Sequence, residues 1–296
     1  MNKINTNLII GILGNFQKEK FYEIFNELGS FLKNNNIDFY LLENNRMNIE
    51  KIYHRDSIVS FNEIIERTNI VISIGGDGTI ISSIRKFLKY DKPILGLHIG
   101  GLGFLAECSN DNFKEKILDI KNGNYYIEDR MLLNVNSIQN DINHDIINEL
   151  VIDRRDSART VKTNISISGK FANTYESDGI IISTPTGSTA YSLSAGGPIV
   201  YPSMELTIIT PICPHTLSMR PLIIPSYDSI DVNFDTSENK KLSLTVDGQI
   251  QEIINNDSEI IVKKSEYSAH LIKFNKYDYF HTLRDKMYWK GNLRIK

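Results

Sequence analysis

Residues 70–88 read IVISIGGDGTIISSIRKFL. The first five of these residues are apolar or small, which is typical of a buried strand. From residue 79 to residue 88 the apolar residues recur at helical spacing, and the Gly-Gly-Asp-Gly segment of residues 75–78 lies between the two patterns. A strand that turns through glycines directly into a helix predicts an α/β domain, in which helices cover a parallel sheet.

The same alternation extends on both sides of this stretch. Short apolar runs predict further strands, and longer stretches with helical spacing predict further helices. The expected strands are residues 7–13, 37–42 and 93–97, and the expected helices are residues 18–34 and 112–121. We therefore predict an α/β N-terminal domain with a parallel sheet over residues 1–124.

The pattern changes after about residue 125. Residues 164–168, 229–234 and 241–246 alternate between polar and apolar side chains, as strands with one buried face do. We predict a mostly β C-terminal domain over residues 125–275. The tail, residues 276–296, is expected to hold a short helix over residues 279–289. Packing of this tail on the first domain is an option that the sequence leaves open.

Composition excludes several classes of protein. The chain has 296 residues and a net charge of −3, so it lacks the basic excess of a general nucleic-acid binder. Its two cysteines, Cys108 and Cys213, predict a reducing compartment. No pair of histidines has zinc-site spacing, so no metal ion in a dedicated protein cage is expected. The apolar runs are too short for a bilayer, and the first residues have no apolar core followed by a small-residue cleavage site, so no signal peptide is expected. We expect a cytoplasmic protein without a membrane partner.

The glycine loop is suited to phosphate. It ends a predicted strand and opens a predicted helix, whose N-terminus carries partial positive charge. Asp77 would repel a phosphate unless it accepts a proton from a hydroxyl group or holds a bridging metal ion. The alternative is a tight turn in which Asp77 or Thr79 caps the helix. The glycine spacing matches neither a dehydrogenase fingerprint nor a nucleoside-triphosphate loop.

Several motifs carry a resemblance to a known family. The segment of residues 75–79, Gly-Gly-Asp-Gly-Thr, resembles the loop shared by NAD kinases, diacylglycerol and sphingosine kinases, and phosphofructokinases. The second domain distinguishes among these enzymes. Its motifs are similar to those of bacterial NAD kinases and occur in the same order along the chain. They are Asn148-Glu149 with the apolar run that follows, residues 177–198, residues 210–218 and Val246-Asp247-Gly248-Gln249, and the L-G-F stretch within residues 101–105 precedes them.

The resemblance implies an enzyme. A bacterial NAD kinase transfers the terminal phosphate of ATP to the 2′-hydroxyl group of the adenosine ribose of NAD, with polyphosphate as an alternative donor. The resemblance implies a divalent metal ion, Mg²⁺, bound with ATP, and a homodimer or homotetramer. In this sequence Asp77 would accept the proton of the attacking hydroxyl group. The phosphate loop would comprise Gly75, Gly76, Gly78 and Thr79.

The NAD-binding residues follow from the same resemblance. Asn148 and Glu149 would hold the adenosine ribose, and Tyr191 would offer a flat face to a ring of the dinucleotide. Without the family resemblance, the sequence would favour another interpretation. Asn148 and Glu149 would be a solvated strand end, and Tyr191 would be a packed aromatic residue. The residues that the resemblance assigns to NAD are Asp77, Gly78, Asn148, Glu149, Arg159, Asp178, Thr189, Ala190, Tyr191, Ser192, Leu193, Ser194 and Gln249.

One position departs from the family pattern. Many bacterial members carry a basic residue two places before Asp178, where this chain has Glu176. A carboxylate cannot make the contact of a guanidinium group. Nearby basic residues are candidates to replace it, although a charged run is equally typical of a solvated loop. They are Arg154, Arg155, Arg159 and Lys162.

Two other functions stay open at this stage. One is a lipid or sugar kinase that shares the glycine loop, and the motifs of the second domain argue against it. The other is a dinucleotide sensor without catalysis, which would have no use for Asp77. The sequence leaves open whether NAD or NADH is the acceptor and whether NADP or NADPH inhibits. Asp178 and His215 are candidates for a site shared between subunits.

Overall fold

The protein divides into two compact units. The structure, a computed structural model, describes residues 7–101, 103–155, 159–235, 241–275 and 278–289. The first unit contains the chain up to Glu128 together with the part from His270 onward, and the second contains Asp129–Ala269. Of the predicted tail, residues 276, 277 and 290–296 lie outside the described residues.

The first unit is built on a parallel sheet with helices between the strands. The strand order is β3-β2-β1-β4-β5, and β6 pairs with β5 in the parallel direction. Its elements are β1 (Ile9–Gly14), α1 (Glu19–Asn34), β2 (Asp38–Leu42), β3 (Ile58–Val59), α2 (Phe61–Arg67), β4 (Ile70–Gly75), α3 (Asp77–Phe87), β5 (Ile94–His98), β6 (Cys108–Ser109) and α4 (Phe113–Lys121).

This strand order places the glycine loop at a topological switch point. From β1 the chain builds outward to β2 and β3, and it then returns to the other side of β1 to form β4 and β5. In open α/β sheets, ligands bind beyond the carboxyl ends of the two strands where the direction reverses. Here those strands are β1 and β4, which pair from Ile10↔Ile70 to Gly14↔Ile74, and the loop follows β4 directly.

The helices bury the faces that their periodicity predicts. In α1 the apolar residues every three or four positions are at most 1% exposed: Phe21, Ile24, Phe25, Leu28 and Leu32. Their spacing puts them on one face of the helix, which is the stripe that an amphipathic helix turns to the core. The short helix α2 depends instead on a capping box between Ser60 and Glu63.

The second unit is a pair of antiparallel sheets with a shared apolar core. One sheet has the order β14-β13-β12-β9-β16-β17, and the other contains β11-β10-β15-β18. Apolar side chains of both sheets, such as Leu150, Ile180, Val232 and Val262, belong to one buried cluster. The elements are β7 (Tyr126–Ser137), β8 (Ile142–Ile146), β9 (Glu149–Asp153), β10 (Val161–Ile167), β11 (Lys170–Ser177), β12 (Gly179–Ser183), α5 (Tyr191–Ser194), β13 (Leu206–Ile212), β14 (Leu222–Pro225), β15 (Ile230–Phe234), β16 (Lys241–Val246), β17 (Ile250–Asn255) and β18 (Ile260–Lys273).

The chain returns to the first unit through β18. The first half of this strand pairs with β15, whereas Leu271 near its end pairs with Ile94 of β5. A final helix, α6 (Tyr279–Lys286), follows, and the side chain of Asp278 accepts a hydrogen bond of 2.9 Å from the N–H of Phe280 at its start. Within the described ranges, none of the helices is long and apolar enough to cross a membrane.

The predicted fold class is confirmed. The structure has a parallel α/β unit at the N-terminal side and an antiparallel β unit after it, and each predicted strand and helix has a counterpart. The elements that the sequence did not predict are short ones or strands without clear alternation, such as α2, β3 and β8. A short element such as α2 or β3 spans too few residues for its local pattern to differ from that of a loop. The long strands β7 and β18 instead lack regular alternation. Packing against neighbours stabilises both kinds of element.

Candidate functional site

The glycine loop makes a sharp turn from β4 into α3. Gly75 ends the strand, and its carbonyl accepts a hydrogen bond of 3.2 Å from the N–H of Ile99. An added Cβ at Gly75 would lie 2.4 Å from Oγ1 of Thr79, so a larger residue does not fit there. The turn therefore needs glycine for reasons of space within the protein itself.

Asp77 is the first residue of α3, and its carboxylate is held by a distant loop. Oδ2 accepts the N–H of Phe104 at 2.9 Å, and Oδ1 accepts the N–H of Leu105 at 3.2 Å. Gly103 allows this approach, because an added Cβ would lie 2.0 Å from Oδ1. The alternative reading, in which Asp77 caps its own helix, is wrong: Gly76 is the N-cap, and no side chain caps the helix.

The segment that holds Asp77 is itself anchored in the core. Glu107, two residues after Leu105, forms an ion pair with Lys273 at the end of β18. Both side chains are at most 1% exposed. Burial raises the pKa of Glu107, and the Lys273 cation opposes that shift. Breaking a buried pair leaves an uncompensated charge, so this contact restrains the loop strongly.

Other glycines of the loops leave open space instead. An added Cβ at Gly76 or at Gly101 meets no atom within 4 Å. Packing within the protein therefore does not require glycine at these two positions. Bare backbone beside open space at a helix N-terminus is the arrangement that accepts phosphate groups. The described parts of the chain hold no group of three histidine, cysteine, aspartate or glutamate side chains suited to a metal ion.

His98 is a further titratable residue at this edge of the sheet, and the sequence analysis did not single it out. It ends β5 and pairs with Gly75 in the ladder. Burial lowers the pKa of His98, and the nearby charge of Asp77 opposes this shift. Burial therefore favours the neutral form of the ring. A histidine directly after a predicted strand beside the glycine loop was the available signal.

In the second unit, Asn148 and Glu149 lie where β9 begins, and Asp247 holds their backbone. Asp247 lies in the turn between β16 and β17. Its Oδ1 accepts the N–H groups of Asn148 at 2.6 Å and Glu149 at 3.1 Å, and its Oδ2 accepts the N–H of Ile147 at 3.1 Å. The pair is thus fixed through its main chain.

The segment after β12 packs against the same residues. Oγ1 of Thr184 donates to the carbonyl of Ile147 at 2.6 Å, and the N–H of Thr184 donates to the carbonyl of Asn148 at 2.9 Å. An added Cβ at Gly187 would lie 2.1 Å from the carbonyl oxygen of Asn148. The Thr-Pro-Thr-Gly segment of residues 184–187 and the Asn148-Glu149 pair are separate in sequence, but these contacts join them in one local structure.

Glu149 is an unusual carboxyl group. It is 6% exposed, and its Oε2 has no hydrogen-bond partner among the described residues. Burial raises the pKa of Glu149 to about 7; the charge of Asp247 adds to the rise, and the backbone of Tyr191 opposes it. Glu149 is therefore partly protonated at neutral pH, so its carboxyl group can both donate and accept hydrogen bonds.

The residues from 189 to 194 divide between surface and interior. Tyr191 is 46% exposed, and Ser194 is exposed too. Thr189, Ala190 and Leu193 are half-buried. Ser192 points inward, where its hydroxyl group lies 3.0 Å from Oγ1 of Thr210.

Neither Ser188 nor Thr189 caps the helix that follows, although serine and threonine are common at helix N-caps. Oγ of Ser188 donates to the carbonyl of Pro185 at 2.7 Å, within a short turn of 3₁₀ helix. The hydroxyl groups thus bond to the preceding turn, and the helix α5 that follows has only four residues.

Among the remaining predicted residues, Asp178 and Glu176 make polar side-chain contacts. Asp178 pairs with Arg154, with 3.1 Å between Oδ1 and Nη1. Glu176, at the departure from the family pattern, accepts a hydrogen bond of 3.3 Å from Oγ1 of Thr160. Arg159 and Gln249 are exposed, and Gly78 is exposed in the first unit. Residues 156–158 of the charged run lie outside the described residues.

Comparison with known families gives two matches that together span most of the chain. Residues 10–125 match the family model of the ATP-NAD kinase N-terminal domain. Residues 147–274 match the family model of the ATP-NAD kinase C-terminal domain. The two matches fall on the parallel and the antiparallel units respectively.

Curated relatives align over most of the chain. The NAD kinase of Caldanaerobacter subterraneus is 38% identical over 281 residues, which cover 94% of this chain and 98% of the relative. The NAD kinase of Clostridium beijerinckii is 43% identical over 222 residues, which cover 74% of this chain and 78% of the relative.

Two solved structures share the fold. A crystal structure of yeast NADH kinase complexed with NADH superposes with a TM-score of 0.85 at 25% identity, covering 99% of this chain and 91% of that one. An NAD kinase from Archaeoglobus fulgidus in complex with ATP gives a TM-score of 0.73 at 25% identity, covering 96% and 100%.

Proposed function

This chain belongs to the NAD kinase family, and from that premise we propose that it transfers the terminal phosphate of ATP to the 2′-hydroxyl group of the adenosine ribose of NAD. The products are NADP and ADP. The observation that carries the proposal is the carboxylate of Asp77, fixed by two backbone N–H groups beside an open glycine loop.

Asp77 is the proton acceptor in this proposal. The ribose oxygen forms a bond to the terminal phosphorus of ATP, and the bond from that phosphorus to the oxygen of the leaving ADP breaks. The hydroxyl proton passes to the carboxylate of Asp77. Each oxygen of Asp77 accepts one N–H bond in the structure and keeps a lone pair for this proton. Phosphoryl transfer depends chiefly on positioning, which the two N–H bonds supply.

The phosphate loop, Gly75, Gly76, Gly78 and Thr79, would bind the triphosphate. The open space at Gly76 and the N-terminus of α3 support this role. Mg²⁺ would supply charge neutralisation on the phosphates when bound. The described residues offer it no cage of three side chains, so phosphate oxygens would be its main ligands, with Asp77 as the nearest carboxylate of the loop. The related archaeal enzyme in complex with ATP supports the choice of donor.

The adenosine ribose of NAD is assigned to Asn148 and Glu149. An amide and a partly protonated carboxyl group can donate to and accept from the two ribose hydroxyl groups. The exposed ring of Tyr191 is available for stacking. Arg159, Asp178 and the backbone of residues 189–194 would complete the contacts to NAD. The yeast relative complexed with NADH supports a dinucleotide, and it makes NADH the alternative acceptor to test.

The proposal also includes the cellular compartment and the oligomeric state of the protein. Cys108 and Cys213 are both free, which fits a reducing cytoplasm. A homodimer or homotetramer is carried over from the family resemblance, and light scattering of the purified protein tests it.

An end-point assay tests the function. The purified protein is incubated with Mg²⁺ and either ATP or polyphosphate, and with NAD, NADH, a diacylglycerol or a hexose phosphate as acceptor. An NADP-specific dehydrogenase then scores the NADP. We expect NADP from ATP and NAD, and no product from the lipid or the sugar. NAD binding without NADP formation from either donor would contradict the proposal and favour the dinucleotide sensor.

A further inference from the structure

The turn between β16 and β17 contains a charged residue, Asp247, followed by Gly248. Asp247 and Gly248 both have positive φ, 52° and 64°. Two such residues form the tight hairpin turn for which the Asp-Gly pair is favoured. Another left-handed turn residue such as asparagine would also suit the backbone. The hairpin by itself therefore does not require the charge of Asp247.

The side chain of Asp247 serves a different part of the chain. It is 8% exposed and accepts the N–H groups of three consecutive residues, Ile147, Asn148 and Glu149, at distances of 2.6–3.1 Å. The N–H of Asp247 in turn donates to the carbonyl of Glu149 at 2.9 Å. These four bonds join segments about 100 residues apart, and three of them involve the two residues assigned to the ribose.

We propose that Asp247 is a positioning residue of the NAD site, which holds the start of β9 so that Asn148 and Glu149 are presented to the adenosine ribose. The inference rests on the proposed function of that site. Asp247 acts through the pair and has no contact with the reacting atoms.

Asp247 also sets the charge of Glu149. The groups that face Glu149 come from three elements. Asp247 comes from the turn, the N–H of Tyr191 from α5, and Ser183 from β12 as its partner in the ladder. Oγ of Ser183 already donates to backbone carbonyls, so it leaves the carboxyl group uncompensated. Burial and the charge of Asp247 both favour the neutral form of Glu149, and its unpartnered Oε2 can then donate to a ribose hydroxyl group.

A pH dependence of NAD binding follows. The pKa of Glu149 is about 7 in the folded protein. If the protonated form binds, affinity is constant at acid pH and falls as the pH rises through that value. Removing the charge of Asp247 lowers the pKa of Glu149, because one of the two causes of its rise is gone. The fall in affinity then occurs at lower pH.

The test uses the full chain with Asp247→Asn, and Asp141→Asn as the matched control. Asp141 has the same left-handed backbone, with φ of 53°, but lies exposed in the turn between β7 and β8. The Kd of NAD is measured by calorimetry from pH 5.5 to 8.5, and kcat and both KM values are measured at pH 7.5. We expect Asp247→Asn to raise the Kd and KM for NAD about tenfold or more at pH 7.5, with the KM for ATP within about twofold. The pH midpoint of the fall in affinity should move to lower pH.

Two results would overturn the inference. One is an unchanged Kd for NAD in Asp247→Asn. The other is a Kd raised by the same factor at every pH, which is the behaviour of a structural defect alone. The control Asp141→Asn should match the wild type throughout.

A second variant covers the case in which Asp247→Asn fails to fold. Glu149→Gln keeps the backbone bonds of Asp247 and carries a neutral side chain at every pH. Its Kd for NAD should be the same at pH 6 and pH 8, and a persisting pH step would contradict the inference. Failure of the proposed function is distinct, because wild-type protein would then form no NADP while the Kd measurements still report on Asp247.

Discussion

Each unit of the molecule contains an aspartate that accepts backbone N–H groups from a distant segment. Asp77 in the first unit accepts two such groups and remains half-exposed beside glycines with open space around them. Asp247 in the second unit accepts three and is almost fully buried. Similar hydrogen bonding therefore serves different ends: it orients an accessible carboxylate in one case and fixes a main chain in the other.

The difference lies in what surrounds each carboxylate. Backbone N–H groups leave Asp77 with accessible lone pairs, which a chemical role requires. The N–H groups around Asp247 sit next to a second carboxyl group, so its charge acts on Glu149 through a poorly solvated region. Substitutions at and around the two residues should therefore have effects of different kinds.

The largest expected effect is that of Asp77→Asn. The amide cannot accept the hydroxyl proton, and a general base typically contributes about 10²–10⁴-fold. We expect kcat to fall by this factor while the Kd of NAD stays within about threefold. Initial rates of NADP formation and calorimetry measure the two quantities. A fall in kcat of only about twofold would remove Asp77 from the role of proton acceptor.

Gly103→Ala should displace Asp77 without changing its chemistry. The added Cβ would lie 2.0 Å from Oδ1, so the carboxylate must move by more than 1 Å to reach normal contact distance. A misplacement of this size costs about 10²-fold in rate. Gly101→Ala is the control for stability, because an added Cβ at this position meets no atom within 4 Å. Its thermal midpoint should equal that of the wild type. An unchanged kcat in Gly103→Ala would show that the position of Asp77 is not critical.

Tyr191→Ala should affect binding rather than turnover. Stacking of a base on an aromatic side chain contributes about 1–3 kcal/mol, so we expect the KM for NAD to rise about tenfold with little change in kcat. The exposed Tyr227 provides the control, since Tyr227→Ala removes a ring of equal size from the same unit. Equal KM values for the two variants would argue against a stacking role for Tyr191.

The smallest effect is expected for Ser192→Ala. Its hydroxyl group faces Thr210 inside the protein, so its loss should lower the free energy of unfolding by about 1 kcal/mol. The KM for NAD should stay the same, because Ser192 is fully buried and its hydroxyl group is directed to Thr210. Chemical denaturation measures the free energy of unfolding, and steady-state kinetics measure the KM for NAD. A raised KM with unchanged stability would show that the side chain of Ser192 contributes to NAD binding.

Much of the fold was predictable because its signals are local. The helical spacing over α1 and the alternation over β16 each appear within one element, and both predictions are confirmed. The glycine loop likewise predicted the turn from β4 into α3. The short helix α5 has no such local signal: the hydroxyl groups of Ser188 and Thr189 bond to the preceding turn, and the helix has only four residues.

The partners of the site residues were not predictable. No local pattern indicates that Asp77 meets Phe104 and Leu105, or that Asp247 meets a segment about 100 residues earlier. The signals present in the sequence were Gly103 and the Asp247-Gly248 turn. Neither signal indicates which distant residues it contacts. The burial of Ser192 was hidden for the same reason.

The sequence by itself determined the alternation of strands and helices, the change to a mostly β domain, the glycine loop and the membership of the family. Hydrophobic periodicity and turn residues act over a few neighbouring positions, so they are readable along the chain. The tertiary structure alone decided which N–H groups hold Asp77 and why the pKa of Glu149 is raised to about 7. Both depend on burial and on charges from segments that are distant in sequence, and desolvation exists only once these segments are packed together.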